Sequence, residues 1–274
     1  MARRPLMEQF RLEEQNGVVT LKCIPFEKHQ NIRHGFSTRT GGVSQGHLAS
    51  MSFSYQKESE AQVDENFRRF CAANGLPFES LVLTHQTHTT RVRQIDASMK
   101  NRGRDRTLRE TDGLVTAERG IGLICFTADC VPLLLADPRA GVVSAVHSGW
   151  RGTVGKIAKE AVLKMEAAGA RRDQILAAIG PSIGPCCFEV GPEVQKEFTD
   201  AFGSALPPAP SGRAGHTMVD LWAANRLVLK EAGLPDTHIY QSEICTFCNH
   251  ETYFSHRYTN GRRGSLIAAI ALEE

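Results

Sequence analysis

Cys130 lies near the first residue and His147 near the last residue of a predicted hairpin, CFTADCVPLLLADPRAGVVSAVHSGWR, over residues 125–151. Two apolar runs and the turn DPRAG predict antiparallel pairing, which would bring the thiol and the imidazole close together. Either residue alone is more often a packed core residue than a ligand. Together they are typical zinc ligands, and a catalytic zinc ion takes three protein ligands and keeps one position open.

The third ligand has two candidates, His85 and His88, in the polar segment HQTH between two strand-like stretches. A loop at that place could aim an imidazole toward the hairpin, but the spacing does not choose between the two histidines. It also matches no compact zinc-ribbon pattern. The spacing of these residues is by itself a weak signal for a three-ligand metal site, and it leaves the third ligand open.

Two other stretches carry groups that could bind an anion. Arg39 precedes Gly41 and Gly42, where backbone N–H groups can approach an anion and a guanidinium can bind it through two hydrogen bonds. An ordinary turn between strands is the alternative interpretation of this stretch. Arg257, in the segment FSHR, is a second candidate, and Asp129 could either transfer protons or fix the turn that follows it.

The chain has 8 cysteines and no secretory signal pattern near its N-terminus. They are expected to be reduced thiols or metal ligands rather than a disulfide framework. Cys245 and Cys248 form a CxxC, which is half of a zinc ribbon, and no second half lies at a suitable spacing. We interpret them as pocket or core residues, and the adjacent Cys186 and Cys187 as a packed turn.

Composition excludes several classes of protein. The 274 residues are 41% hydrophobic and 23% charged with a net charge of +2, which argues against disorder and offers no basic field for nucleic acid. No apolar run approaches the roughly 20 residues of a membrane span. We expect a cytoplasmic protein without nucleic-acid or membrane partners, and no protein partner can be inferred. Residues 100–106 and Arg262-Arg263 are expected to be solvated loops.

Periodicity predicts an α+β protein, with mixed β-sheets built from hairpins and helices packed on the outside. Besides the hairpin, strands are predicted at 18–26, 34–38, 81–84, 91–95, 175–179 and 266–272. Helices are predicted at 62–74, at 192–202, at 220–232 with Asp220 as N-cap, and from an N-cap at Thr153 to a stop at Gly169. Neither GxGxxG after a strand nor GxxxxGK[ST] is present.

Six blocks in order resemble the YfiH-like family, which was long labelled polyphenol oxidase or laccase. They are GFSTRTGGVSQG (35–46), HQTH (85–88), TADCVPLLLAD (127–137), AVHSGWRGT (145–153), GPSIGPCCFEVG (180–191) and FSHR (254–257). The blocks run from about residue 34 to the C-terminus. The resemblance implies a YfiH-like fold and a single catalytic domain over residues 1–274.

The resemblance also implies a ligand set and an activity. Its Gln-x-His motif falls on His88, its Thr-x-Asp-Cys motif on Cys130, and the histidine before a small residue and Gly-Trp on His147, which makes His85 a supporting or plain polar residue. The implied enzyme is zinc-dependent and acts on purine nucleosides. It would phosphorolyse adenosine, inosine and S-methyl-5′-thioadenosine to the free base and the sugar 1-phosphate, and would deaminate adenosine.

Deamination would use water activated by zinc, whereas phosphorolysis needs a phosphate held under the sugar C1′. Arg39, Gly41, Gly42 and Arg257 are the candidates to bind phosphate, and Arg39 and Asp129 the candidate catalytic residues. One alternative is a copper-dependent polyphenol oxidase, although the ten histidines contain no HxH pair. A non-catalytic, metal-stabilised binding protein is another.

Overall fold

The computed structural model describes residues 9–99 and 108–274, and the basic stretch 100–106 lies outside this part. Two six-stranded sheets pack face to face, and helices cover both outer faces. The first sheet, in spatial order, consists of β1 (Phe10–Gln15), β2 (Val18–Cys23), β3 (Ile32–Ser37), β15 (Leu266–Leu272), β7 (Gly122–Thr127) and β4 (Leu81–Leu83).

The second sheet holds the predicted hairpin at its centre. In spatial order it consists of β14 (Ile239–Gln241), β10 (Leu176–Ile179), β8 (Val131–Asp137), β9 (Val142–Ser148), β6 (Gly113–Thr116) and β5 (Val92–Ile95). Both sheets are mixed, since most neighbours are antiparallel and β4–β7, β5–β6 and β10–β14 are parallel pairs. A small antiparallel sheet consists of β11 (Glu189–Val190), β13 (Thr217–Met218) and β12 (Ala209–Pro210).

The hairpin is apolar at nearly every position because both of its faces are covered. Leu133 and Leu135 of β8 pack into the core under the helices, while Leu134 and Ala136 pack into the core between the two sheets. All seven residues of β8 are buried. Burial on both faces removes the usual alternation with polar residues, as in the strands of covered sheets.

Seven helices are found in the described part of the chain. They are α1 (Ile24–Glu27), α2 (Glu60–Asn74), α3 (Trp150–Val154), α4 (Ile157–Ala167), α5 (Pro192–Phe202), α6 (Leu221–Glu231) and α7 (His256–Thr259). Helix α2 packs on the first sheet, and α4, α5 and α6 pack on the second. None of them is long and apolar enough to cross a membrane.

Helix ends confirm some sequence predictions and correct others. Asp220 caps α6, because its carboxylate accepts a hydrogen bond from Ala223 N. The strand predicted at 18–26 ends at Cys23, since the next residues form α1. The Thr153 N-cap is wrong: Thr153 lies inside α3, where its hydroxyl donates to Gly149 O, and Lys156 at φ 60° separates α3 from α4.

Candidate metal centre

The three residues His88, Cys130 and His147 lie together at one end of the hairpin. Their ligand atoms are all within 4.8 Å of one another. Cys130 immediately precedes β8, and His147 lies opposite Pro132 in the β8–β9 register, so strand pairing itself brings the thiol and the imidazole together. His88 reaches the same point from the loop after β4, and its ring centroid is 4.9 Å from that of His147.

Asp112, which the sequence did not single out, orients both histidines. Its Oδ1 accepts hydrogen bonds from the backbone of His88 at 3.1 Å and from His147 Nδ1 at 2.8 Å. Its Oδ2 accepts from the backbone N–H groups of Thr87 and Thr89 and from the Thr89 hydroxyl. With Nδ1 of His147 held in this way, Nε2 is the nitrogen left to face a metal ion.

The pKa values of Asp112 and His147 depend on each other. Burial alone would raise the pKa of Asp112, but hydrogen bonds from His147 and Thr89 lower it to about 2. Burial alone would lower the pKa of His147, but the negative charges of Cys130 and Asp112 raise it to about 9. A buried, ionised carboxylate therefore backs the imidazole, and metal binding at Nε2 requires that nitrogen to give up its proton.

Backbone conformation around the cluster is unusual. A Cβ at Gly149 would lie 2.6 Å from His88 Nδ1 and 3.2 Å from Cys130 Sγ, so only glycine lets the two side chains meet there. His88 and Asp129 have positive φ values of 61° and 85°, a region that non-glycine residues seldom adopt. Strain of this kind is concentrated at functional sites.

The donor set fits a metal ion. A thiol and two imidazoles converge on one point, and the side that carries His88 is exposed whereas His147 is buried. Three protein ligands with one open side are the pattern of catalytic zinc sites. The same sulfur and nitrogen donors also suit copper, so the donors alone do not identify the metal.

Asp129, which precedes the candidate ligand Cys130, is hydrogen-bonded to two neighbouring segments. Its carboxylate accepts hydrogen bonds from the Thr246 hydroxyl and from the backbone of Arg257, both at 2.6 Å. The contacts expected of a residue that fixes the turn are therefore present. A role in proton transfer stays a prediction.

Arg39 braces two loops. Its Nε donates to Ala49 O and its Nη1 to His250 O, and the guanidinium carbon lies 4.6 Å from the centre of the Phe254 ring. Its Nη2 has no hydrogen-bond partner among residues 9–99 and 108–274.

Gly41 and Gly42 form a tight turn against the neighbouring backbone. A Cβ on them would lie 2.4 Å from Gly17 O and 2.1 Å from Ser50 O, respectively, so close approach requires glycine at both positions. Their N–H groups already donate to the Ser50 hydroxyl. Anion binding by this turn stays a prediction, and the two N–H groups would have to share it with Ser50.

Two more arginines lie near Asp129. The Nη1 atom of Arg257 donates to Glu189 O at 2.9 Å. Arg263, expected to be solvated, is instead half-buried, and its Nε is buried with no hydrogen-bond partner in the described structure. Burial lowers the pKa of Arg263, and the negative charges of Cys130 and Asp129 partly offset this effect. The sequence offered only an Arg-Arg pair before β15 as a signal, and only Arg262 is exposed as expected.

His85 lies apart from the metal-donor group. Its backbone forms an isolated bridge with Thr111, and its Nδ1 accepts a long hydrogen bond of 3.4 Å from Glu110 N. The side chain is exposed. This position fits a polar loop residue that supports the loop carrying His88.

Comparison with known proteins identifies the relatives of this chain. Residues 33–273 match the family described as multi-copper polyphenol oxidoreductase laccase. Adenosine deaminase RL5, from an unknown prokaryotic organism, is 44% identical over 260 residues, covering 92% of this chain and 99% of the relative. A purine nucleoside phosphorylase of Deinococcus radiodurans is 38% identical over 256 residues, covering 93% of this chain and 95% of the relative.

Two crystal structures share the fold. YlmD from Geobacillus stearothermophilus superposes with a TM-score of 0.85 at 36% identity, covering 97% of this chain and 99% of that one. The Bacillus licheniformis hypothetical protein YfiH gives a TM-score of 0.87 at 28% identity, covering 96% and 99%. The predicted α+β class and YfiH-like fold are therefore confirmed.

Proposed function

The chain belongs to the family described as multi-copper polyphenol oxidoreductase laccase, and we propose that it is a zinc-dependent purine nucleoside phosphorylase that also deaminates adenosine. Its substrates are adenosine, inosine and S-methyl-5′-thioadenosine, with phosphate as the second substrate. The converging thiolate and two imidazoles, open on the His88 side, support this most directly. The names of relatives, which include both phosphorylases and a deaminase, support the two activities.

His88, Cys130 and His147 would hold the zinc ion, which would supply a Lewis acid at a position open to substrate. Asp112 fixes the ring orientation of His147 and the loop that carries His88, which keeps the donors in place without substrate. Residues 1–274 act as one catalytic domain. The candidate ligands come from both sheets, which supports a single domain. The His88 loop follows β4 of the first sheet, whereas β8 and β9, which position Cys130 and His147, belong to the second.

Phosphorolysis requires an anion held where the sugar C1′ is attacked. We assign this role to Arg39, with Gly41 and Gly42 shaping its loop and Arg257 adding positive charge. The free Nη2 of Arg39 supports this assignment. We add Arg263, because its buried Nε lacks a partner among the described residues and its charge acts on Cys130 and Asp129.

Asp129 is assigned to proton transfer, because it precedes the candidate ligand Cys130 and the residue is only 8% exposed. That carboxylate already accepts two hydrogen bonds, from Thr246 and from the Arg257 backbone. The role therefore requires one of these partners to be exchanged for the substrate. Replacement of Asp129 by Asn keeps the shape of the group and tests this requirement through a pH–rate profile.

The proposal is tested on the purified full-length protein by elemental analysis and by assays of adenosine with and without phosphate. We expect zinc, phosphate-dependent release of adenine, and phosphate-independent release of inosine. Stoichiometric copper with oxidation of phenols would overturn the zinc assignment and favour the older family description. Metal without turnover of any purine nucleoside would overturn the catalytic assignment.

A further inference from the structure

We call His88, Cys130 and His147 the first cluster. Four other cysteines, of which Cys245 is buried, form what we call the four-cysteine cluster: Cys186, Cys187, Cys245 and Cys248. All four Sγ atoms lie within 4.8 Å of one another. The expectation that the CxxC has no second half is wrong, because folding supplies the second half from the adjacent pair. We propose that this cluster is a second metal site, which binds a structural zinc ion through four thiolates.

Sulfur separations match a tetrahedral zinc site. Cys248 Sγ lies 3.7 Å from Cys186 Sγ and 3.4 Å from Cys187 Sγ. A zinc ion with Zn–S bonds of about 2.3 Å holds its four sulfurs about 3.8 Å apart. These separations are much longer than the roughly 2.05 Å of a disulfide, and all four thiols are free in the structure.

The backbone around the cluster supports a thiolate at Cys245. Gly184 N donates to Cys245 Sγ at 3.2 Å. Burial raises the pKa of Cys245, but hydrogen bonds from the backbone of Cys248 and Gly184 outweigh it and lower that pKa. N–H groups directed at sulfur stabilise the charged form that a metal ion requires.

Local turns bring the two pairs together. The backbone N–H groups of Cys187 and Phe188 both donate to Gly184 O, which curls the chain so that two adjacent thiols reach the same point. A Cβ at Gly184 would lie 2.8 Å from the Trp222 ring and 3.2 Å from Cys245 Cβ. A glycine is therefore needed for the two segments to approach this closely.

Ligand chemistry selects the ion. Four thiolates in a tetrahedron are typical of zinc or iron, and a closed set of four protein ligands marks a structural rather than a catalytic site. Zinc forms such a site without redox chemistry, which suits a structural role.

The four-cysteine cluster is placed to brace the first metal centre. Thr246, inside the CxxC, donates to Asp129, which precedes Cys130. The carbonyl of Cys187 accepts a hydrogen bond of 3.5 Å from Arg257. Loss of the ion should therefore loosen the segments that hold Asp129 and Arg257, while the His88, Cys130 and His147 donors remain on their strands and loop.

Zinc counting on full-length protein variants tests this inference. We expect about two zinc ions per chain in the wild type, about one in Cys245→Ser/Cys248→Ser and about one in Cys130→Ser. Cys71→Ser, which removes a buried thiol in α2, is the matched control and should keep both ions. Because metal content rather than turnover is measured, this result is independent of the proposed enzymatic function.

Cobalt substitution adds a readout of ligand type. The intense thiolate-to-cobalt absorption of a four-sulfur site should disappear in Cys245→Ser/Cys248→Ser and persist in Cys130→Ser. If the double variant does not fold, thiol titration of the native wild type decides the matter, since zinc should protect the four thiols until it is removed. One zinc ion per chain with free reaction of these thiols, stoichiometric iron, or a disulfide among them in protein purified under reducing conditions would overturn the proposal.

Discussion

The two sulfur-containing clusters of this protein differ in the type and number of their donor atoms. The first combines one thiol with two imidazoles, leaves His88 exposed and places the buried carboxylate of Asp112 behind His147. The second gathers four thiols on two turns and offers four sulfur donors. An incomplete donor set on a rigid support suits chemistry, whereas a complete set on loops suits structural stabilisation.

The supports of the two clusters differ as well. Strand pairing sets Cys130 and His147 in the first cluster, because β8 and β9 lie at the centre of a sheet buried on both faces. Turns and a single isolated bridge, Ser182 with Cys245, bring the four cysteines together. We therefore expect metal loss to leave the backbone of the first cluster intact and to disorder that of the second.

The largest effect is expected from Cys130→Ser. Replacing the thiol removes the sulfur donor of the proposed zinc site, so both proposed nucleoside activities should fall by about 1,000-fold or more. Melting temperature should change little, because strand pairing holds this region. The measurement combines steady-state kinetics with thermal unfolding.

Cys245→Ser/Cys248→Ser is the matched comparison. It should lower the melting temperature more than Cys130→Ser does and reduce activity less. If the two variants exchanged these effects, the distinction between a catalytic and a structural cluster would be reversed.

Arg39→Ala separates the two reactions proposed for the first cluster. If Arg39 holds the attacking phosphate, its loss should cost phosphorolysis about 2–4 kcal/mol, roughly 30- to 1,000-fold in rate, and affect deamination much less. Deamination uses water and no second anion. The measurement is kcat/KM for phosphate-dependent and phosphate-independent conversion of adenosine by the same preparation.

A structural role for Arg39 makes a different prediction. Its hydrogen bonds to Ala49 O and His250 O connect two loops, so loss of bracing alone would lower both activities equally and reduce stability. Arg262→Ala, at an exposed arginine, is the control for loss of a positive charge. Unchanged phosphorolysis in Arg39→Ala would direct the search for the phosphate site to Arg257 and Arg263.

Asp112→Asn tests the buried carboxylate that distinguishes the first cluster. The amide keeps the shape but removes the charge that orients the His147 imidazole. Loss of such a supporting partner typically costs about 10- to 100-fold in metal affinity or activity. Competition with a zinc chelator measures the affinity, and Asp64→Asn, in α2, serves as a control. Wild-type affinity in Asp112→Asn would show that His147 is held by packing alone.

Sequence reasoning reached the first cluster and missed the second for a physical reason. A hairpin is local, so its turn and two apolar runs predict which ends meet, and motif resemblance supplied His88. Asp112 carries no motif, and it reaches His147 only because β6 pairs with β9. The segments that carry the four cysteines follow β10 and β14, and no local pattern in the chain encodes the parallel pairing of these strands or the Ser182–Cys245 bridge that continues it.

The bounds of helices and strands were likewise predicted only where local sequence determines them. Helix α5 and strand β15 have the predicted bounds, 192–202 and 266–272, because their apolar patterns and end residues lie within the elements themselves. The break between α3 and α4 was missed, because one apolar stripe continues across it and Thr153 is a good cap by residue type alone. Its hydroxyl is instead used inside α3.

The smallest effect is expected from His85→Ala, which tests whether the first cluster has three protein donors or four. His85 is exposed, and its Nδ1 accepts only a 3.4 Å hydrogen bond from Glu110 N, so the variant should keep its zinc and lose no more than a few-fold in activity. His88→Ala, three residues along the same loop, should lose that zinc. Metal analysis of the two variants side by side makes the measurement. If zinc were lost from His85→Ala and kept in His88→Ala, the ligand assignment would be reversed. His85 would then be the third protein ligand in place of His88.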